Sequence, residues 1–363
     1  KYQIVVNVLM NVASFACNVV ISLLLVPYLV GSIGIAAYGL VPIAMFLTDY
    51  IGLVTQSLTS SINRYLTVEI HQERYDAANQ VFNTAWFGML GLIVAQILLF
   101  AWPITQVNAF IAVPDGLEQE AVNLFALTFA NFALSLLTSI LSVSMYARNR
   151  LDLMQWANIL RALVRVLTIV AIFTLDAPSL TAVGIGSLAG GAVAFLFAVT
   201  MWRRLTPFLS IRPRDFDRSR LRPLTSMGGW LMVNQVGFLL FSKVDLVLVN
   251  KFLGAAASGE YAVVLQLTNL VKSLMATVAG VLGPVVMLHY SRGDRQALID
   301  SSLLFTKFLG LASVLPIALM AVFAGDLLTL WLGPEYAHLA WLLITLVCPL
   351  VINIGVMPLF LIN

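Results

Sequence analysis

The 363-residue chain is 60% hydrophobic and only 10% charged, with a mean hydropathy of +0.95. A soluble domain carries about 25% charged residues to cover itself with solvated groups, so this composition excludes a water-soluble globular protein and points to lipid as the solvent. The formal net charge of +3 says little; where the charges sit says more.

A membrane span needs roughly 20 apolar residues to cross about 30 Å of hydrocarbon. That rule predicts helices at about 4–30, 39–62, 81–102, 120–145, 153–175, 181–202, 224–250, 259–289, 301–324 and 338–361. No alternating strand pattern competes with them, and an open sheet cannot satisfy its backbone in lipid. The expected fold class is therefore an all-α polytopic membrane protein with about ten transmembrane helices. Short connections are punctuated by Gly31, Gly34, Pro114, Gly116, Pro178, Gly254, Gly333 and Pro334. The longest polar stretch, 203–222, holds Arg203, Arg204, Arg212, Arg214, Arg218, Arg220 and Arg222. It reads as a linker between an N-lobe of six helices (1–202) and a C-lobe of four (223–363). The chain starts without Met and stops at Asn363 directly after an apolar run, as expected of a piece of a longer protein.

Cytoplasmic loops carry an excess of Lys and Arg, which fixes orientation. With the N-terminus inside, the inner segments hold Lys1, Arg64, Arg74, Arg148, Arg150, the seven linker arginines, Arg292 and Arg295, against Lys251 outside. The outer loops carry Asp115, Glu118, Asp176, Asp326 and Glu335 instead. The N-terminus and the linker are thus expected in the cytoplasm, with the linker against the anionic leaflet rather than on nucleic acid.

The two lobes resemble each other. A shift of 223 positions superposes Asn11 on Asn234, Gly31 on Gly254 and Tyr38 on Tyr261, while His71-x-x-Arg74-x-Asp76 matches His289-x-x-Arg292-x-Asp294 with a shift of 218. Six helices separate the copies, so both run the same way through the membrane. Such parallel repeats around a pseudo-two-fold axis are a transporter architecture. A complete second lobe would need two further helices.

At these motifs the sequence resembles a known family. The stretches PYLVGSIGIAAYGL (27–40), SKVDLVLVNKFLGAAASGEYAVV (242–264) and LLTLWLGPEYAHLAWLL (327–343) are similar to polysaccharide biosynthesis transporters. These are the oligosaccharide-lipid flippases of the multidrug/oligosaccharidyl-lipid/polysaccharide exporter (MOP) superfamily. The resemblance implies two helical lobes around a central cleft in the bacterial inner membrane. Such a protein moves an undecaprenyl-diphosphate-linked oligosaccharide, of O-antigen or exopolysaccharide type, to the outer leaflet by alternating access. It also implies a polysaccharide polymerase and a chain-length regulator as partners, besides membrane lipids. Family members usually have twelve or more helices, from which this chain departs.

Charges inside spans are the functional pointers, because each costs at least a few kcal/mol against lipid. They are Asp49, Arg161, Arg165, Lys243, Asp245, Lys272 and Lys307, five basic against two acidic. Arg161 and Arg165 lie one turn apart in the cytoplasmic half of their span, beside Asn158. A lipid diphosphate needs charge-assisted donors in a fixed fork, so this pair is its first candidate, with Lys243, Lys272 and Lys307 behind it. Snorkelling to headgroups or an ion pair is the plainer account of the arginines. The 223-residue shift sets Asp49 opposite Lys272, either as a structural ion pair or, with Asp245, as a gate or ion-coupling site. Asn7, Asn11, Ser14, Asn18 and Ser22 share one helical face, and Asn234 and Ser242 echo it. Such a face suits a sugar in a hydrated cleft or polar packing between helices. Gly190-Gly191, Gly228-Gly229, Pro27, Pro42, Pro284 and Pro316 are candidate bends for a rocking motion.

Cys17 and Cys348 fall inside apolar runs with no ligand spacing, and His71, His289 and His338 are scattered, so neither metal nor any other cofactor is expected. No nucleophile constellation or nucleotide-binding loop appears, and no catalytic residue is assigned. An organic-cation antiporter of the same superfamily would want an acid-rich cleft; a membrane-embedded sugar polymerase or glycosyltransferase would want sizeable outer loops. Both rank behind the flippase.

Overall fold

The computed structural model describes residues 2–219, 228–291 and 295–356. Among them no strand occurs. The long helices are α1 (Tyr2–Ile33), α3 (Leu40–His71), α4 (Tyr75–Thr105), α6 (Glu118–Ala147), α7 (Leu151–Leu175) and α8 (Leu180–Leu205). One-turn helices α2 (Ile35–Tyr38) and α5 (Val107–Phe110) sit in the connections. Beyond the linker come α9 (Gly228–Ser291), α10 (Arg295–Val322), α11 (Ala324–Leu332), α12 (Ala340–Val347) and α13 (Leu350–Gly355). Seven helices among the described residues are long and apolar enough to cross a membrane. They account for seven of the ten expected spans. Expected spans 39–62, 224–250 and 259–289 fall on α3 and α9, where many side chains lie outside the described set. The expected span at 338–361 is broken, α12 ending before Pro349, which has no N–H to continue the ladder.

The chain divides into two compact units, residues 1–258 and 259–363. In the first, α6 packs against α8 and α3, α7 against α8 and α1. Phe82, Met89, Ile140, Leu141 and Met145 are fully buried in its core, with the Phe82 and Trp202 rings stacked 5.7 Å apart. The α8 N-terminus is capped twice: Ser179 Oγ accepts from the Ala182 amide, and Glu120 of α6 accepts the Leu180 amide at 2.7 Å. In the second unit, α10 packs on α12 and α13 through Leu309, Ile317, Val347, Leu350 and Ile354.

The repeat register needs correcting. Gly34 (φ 83°, ψ 158°) breaks the helix between α1 and α2, and Gly254 (φ 92°, ψ 174°) breaks α9. Both use the left-handed side of φ that glycine adopts without steric cost. These two breaks lie 220 positions apart, whereas the ungapped sequence match pairs Gly254 with Gly31, which sits inside α1. The repeat therefore slips by three residues at its most recognisable point. The pairing of Asp49 with Lys272 depended on the ungapped register and loses that support.

Basic segments expected on one side of the membrane gather at one end of the first unit. The α3–α4 and α6–α7 turns are built alike. Arg74 N–H bonds Glu69 O and Glu73 N–H bonds Ile70 O; Arg150 N–H bonds Met145 O and Asn149 N–H bonds Tyr146 O. This is the paired 6→1 and 5→2 closure of a Schellman turn, with Glu73 and Asn149 at positive φ. The linker is strapped to the first turns of α4. Asn79 donates to Phe208 O (2.9 Å) and accepts from Ser210 N–H (2.9 Å). Asn83 donates to Ser210 O (2.8 Å) and accepts from Arg212 N–H (2.7 Å), and Thr84 takes the Asp217 N–H at 3.0 Å. Arg148 adds a bond to Leu205 O and lies over the Phe208 ring. An extended segment has no partners of its own for these backbone groups, so the helix side chains supply them.

Asn83 is fully buried, so Asn83→Ala leaves a linker carbonyl and amide unpaired and should cost about 1–3 kcal/mol. The expected reading is a lower Tm in detergent and faster tryptic cleavage at Arg214 and Arg218, with helical content unchanged. A parental Tm and cleavage rate would mean that water replaces the amide.

Candidate functional site

Helix α7 carries the arginine pair. It runs from Leu151 to Leu175, so Arg161 and Arg165 flank its midpoint at Leu163 rather than lying in one half. Arg161 stays in the N-terminal half that the sequence assigned, and Arg165 falls two residues beyond the midpoint. Neither guanidinium has a carboxylate partner among the described residues. The Nε atoms of both are buried and without a hydrogen-bond partner. The ion-pair account of the two arginines therefore has no support among the described residues. Like charges four residues apart on a helix repel, so an isolated pair of this kind is held at a cost.

What holds α7 in place is the glycine face of α8. Gly186 and Gly190 are one turn apart in a small-x-x-x-small arrangement, and both are buried. A methyl group at Gly190 would run into the Arg161 carbonyl oxygen, and one at Gly186 would come within 2.9 Å of the Arg165 carbonyl oxygen. Gly184 and Gly191 turn the other way, towards Leu127 and Asn131 of α6. Gly190 and Gly191 are thus contact points inside a regular helix, and not the bend the sequence suggested.

The polar face of α1 divides. Asn7 is buried, donates to Asn149 O at 3.2 Å and Asn149 Oδ1 at 3.3 Å, and accepts from Asp152 N–H (3.0 Å) and Gln3 Nε2 (3.1 Å). Gln3 also donates to Asp152 Oδ1, and Arg150 pairs with the same carboxylate at 3.0 Å. Asn7 therefore clamps the start of α1 to the α6–α7 turn, and its amide has no capacity left for a sugar. Asn11 and Asn18 are exposed, Asn18 donating to Ser14 O in its own helix. Exposed Val5, Leu9, Val12, Val20 and Leu24 lie on the opposite side of α1, so the polar and apolar faces are separate.

Asp245 is half-buried, with Oδ1 on the Leu246 amide at 2.9 Å, while Lys272 and Lys307 are exposed on α9 and α10. The side chains of Asp49, Asn234 and Lys243 lie outside the described residues. No group of three His, Cys, Asp or Glu side chains suited to a metal occurs among the described residues. Sequence reasoning missed Asn250, which is fully buried and holds Ala112 by both its N–H (2.8 Å) and its C=O (3.2 Å). Its only sequence signal was an amide inside an apolar run.

A family model described as "Polysaccharide biosynthesis protein" matches residues 4–289. The chain belongs to that family. A curated relative, the "Uncharacterized membrane protein EpsK" of Bacillus subtilis (strain 168), is 29% identical over 355 residues, covering 98% of this chain and 70% of the relative. Among solved structures, an inward-facing multidrug resistance MATE family transporter of the MOP superfamily matches with a TM-score of 0.74. The identity is 15%, over 96% of this chain and 79% of that one. A Vibrio cholerae MATE transporter matches at 0.65, with 14% identity over 99% and 81% of the two chains. A MOP superfamily transporter from Pyrococcus furiosus, described as having reverse polarity of the binding pocket, matches at 0.62, with 16% identity over 98% and 77%. At these identities the structures show the fold, which is MATE-like and multi-pass. Family and fold together point to a MOP-superfamily transporter rather than an enzyme.

An unpaired guanidinium near mid-membrane destabilises the unliganded protein by at least a few kcal/mol. Arg165→Met should therefore keep or raise the Tm of the ligand-free protein. A fall beyond roughly 4 °C, about 1 kcal/mol or more for a unit of this size, would mean that Arg165 holds a structural partner.

Proposed function

We propose that this protein is a flippase that carries an undecaprenyl-diphosphate-linked oligosaccharide from the cytoplasmic to the outer leaflet of the inner membrane. It acts by alternating access between an N-lobe (1–202) and a C-lobe (223–363) joined by the basic linker, and feeds polysaccharide assembly beside a polymerase and a chain-length regulator. The observation that carries this reading is the arginine pair: two guanidiniums at the middle of α7, with buried Nε atoms unpartnered.

A diphosphate supplies what that site lacks. Each guanidinium offers a planar fork of N–H donors, and a phosphate presents several oxygens to accept them. The anion also removes the repulsion between the two arginines. The sugar would lie against amides such as Asn11 and Asn18, which remain exposed on the polar face of α1. The basic excess inside the spans argues against a cationic cargo. The Pyrococcus transporter, whose reverse pocket polarity is described as suggesting a different function, offers a parallel within the fold.

Purified full-length protein in proteoliposomes should accelerate translocation of a labelled undecaprenyl-diphosphate oligosaccharide. Arg161→Ala with Arg165→Ala should lower the rate at least about tenfold, since each lost charge-assisted contact is worth roughly 1.5–3 kcal/mol. Unchanged transport by the double variant would remove the arginine site. No acceleration by folded protein on several lipid-linked sugars would favour the antiporter.

A further inference from the structure

We infer that Gly186 and Gly190 are positioning residues for the arginine pair, setting where α7 presents Arg161 and Arg165 to a diphosphate. The inference rests on the arginine site proposed above. Its basis is that the two glycines touch the backbone of those same two residues and of no other charged residue. The Gly190 Cα faces the Arg161 carbonyl, with Arg165 Cβ 3.3 Å from where a Cβ would stand, and Gly186 faces the Arg165 carbonyl and Ile169. The contacts are one turn apart on each helix, so they fix both the separation and the rotation of α7 over the turn that carries the guanidiniums. Backbone approach this close is open only to glycine, whose Cα hydrogens make weak contacts with the facing carbonyls.

The second, independent observation is the pair of orphaned Nε atoms. A helix held loosely would rotate or shift until each guanidinium found an acceptor or reached the interface. Here both remain buried at Nε and unpartnered, as expected if the seam forbids that relaxation. The same helix carries its own control. Gly184 is buried too and less tightly crowded: a Cβ there meets the Leu127 side chain of α6 at 2.9 Å, away from the arginine turn.

The test compares Gly186→Ala, Gly190→Ala and Gly184→Ala in full-length protein reconstituted in nanodiscs. Binding of undecaprenyl diphosphate and of uncharged undecaprenol is measured by thermophoresis, alongside Tm. Displacing a binding group by about 1 Å is enough to lose roughly tenfold or more, so Gly186→Ala and Gly190→Ala should weaken diphosphate binding about tenfold. Undecaprenol binding should stay at the parental value, and Gly184→Ala should leave both affinities within about twofold. Equal losses for all three variants, or equal losses for both lipids, would reduce the glycines to general packing and overturn the inference. If the alanine variants do not fold, Ile169→Ala loosens the same seam without adding an atom. It should weaken the diphosphate about threefold, and a parental affinity there also overturns the inference. Arg161→Gln and Arg165→Gln separate the two levels. If they bind diphosphate normally, the arginine site and the glycine inference both fall; if they bind weakly while the glycine variants bind normally, only the inference falls.

Discussion

Hydrocarbon offers no hydrogen bond, and nearly every local choice in this molecule follows from that. Backbone groups are satisfied inside helices, because no other open structure can satisfy them in lipid. Hydroxyls within the spans turn back on their own helices: Ser135 to Asn131 O, Thr138 to Leu134 O, Ser142 to Thr138 O and Thr200 to Leu196 O, all at 2.8–2.9 Å. Helix association cannot draw on the exclusion of water, so it relies on close contact. The α8 glycines provide that contact on two sides, to α6 and to α7. The bundle is thereby organised around α8, the helix with the least side-chain bulk on its packed faces.

Where the chain leaves helix, the same constraint falls on asparagine. An amide both donates and accepts, so it can replace a missing backbone partner on each side of a peptide. Asn7, Asn79, Asn83 and Asn250 all do this, each joining segments more than 100 positions apart. Three of them sit near helix ends, where turns and the linker leave backbone groups open. The basic linker is consequently a fixed ribbon along α4 over 208–217, and its exposed Arg212 and Arg214 are carried on an ordered backbone.

The outlines of the fold were legible in the residues because length and hydropathy are unambiguous in lipid. Spans such as 120–145 and 181–202 fall inside α6 and α8, whose extra turns at either end carry the polar residues that a hydropathy rule trims away. The slipped repeat was not legible, since the helix break is a backbone event and Gly31 and Gly34 look alike in sequence. The two arginines stood out in the sequence through their cost in lipid, but not their lack of a carboxylate partner among the described residues. The role of Asn7 was not legible, because periodicity gives the face a residue occupies but not whether another segment already claims it. Asn79 and Asn83 were hidden for a related reason: their partners are main-chain groups of the linker, which leave no pattern in side chains.

A charged group without a partner is tolerated only when something prevents it from relaxing and something else rewards it. Arginine keeps its proton, so the pair on α7 cannot neutralise itself as a buried lysine can. Moving α7 would relieve the strain, and the carbonyls packed on Gly186 and Gly190 oppose that movement. On the proposed reading the reward is the phosphate, which binds the strained arrangement more tightly than a relaxed one. Ligand binding and stability are then coupled, with the occupied protein stabilised in proportion to ligand concentration over its dissociation constant. That coupling also favours release. Any rearrangement that spreads the arginines or admits water between them weakens the hold on the diphosphate, and alternating access requires a rearrangement of that kind at each half-cycle. On that reading the glycine seam and the arginine pair form one device, in which close packing creates the electrostatic need that the substrate meets.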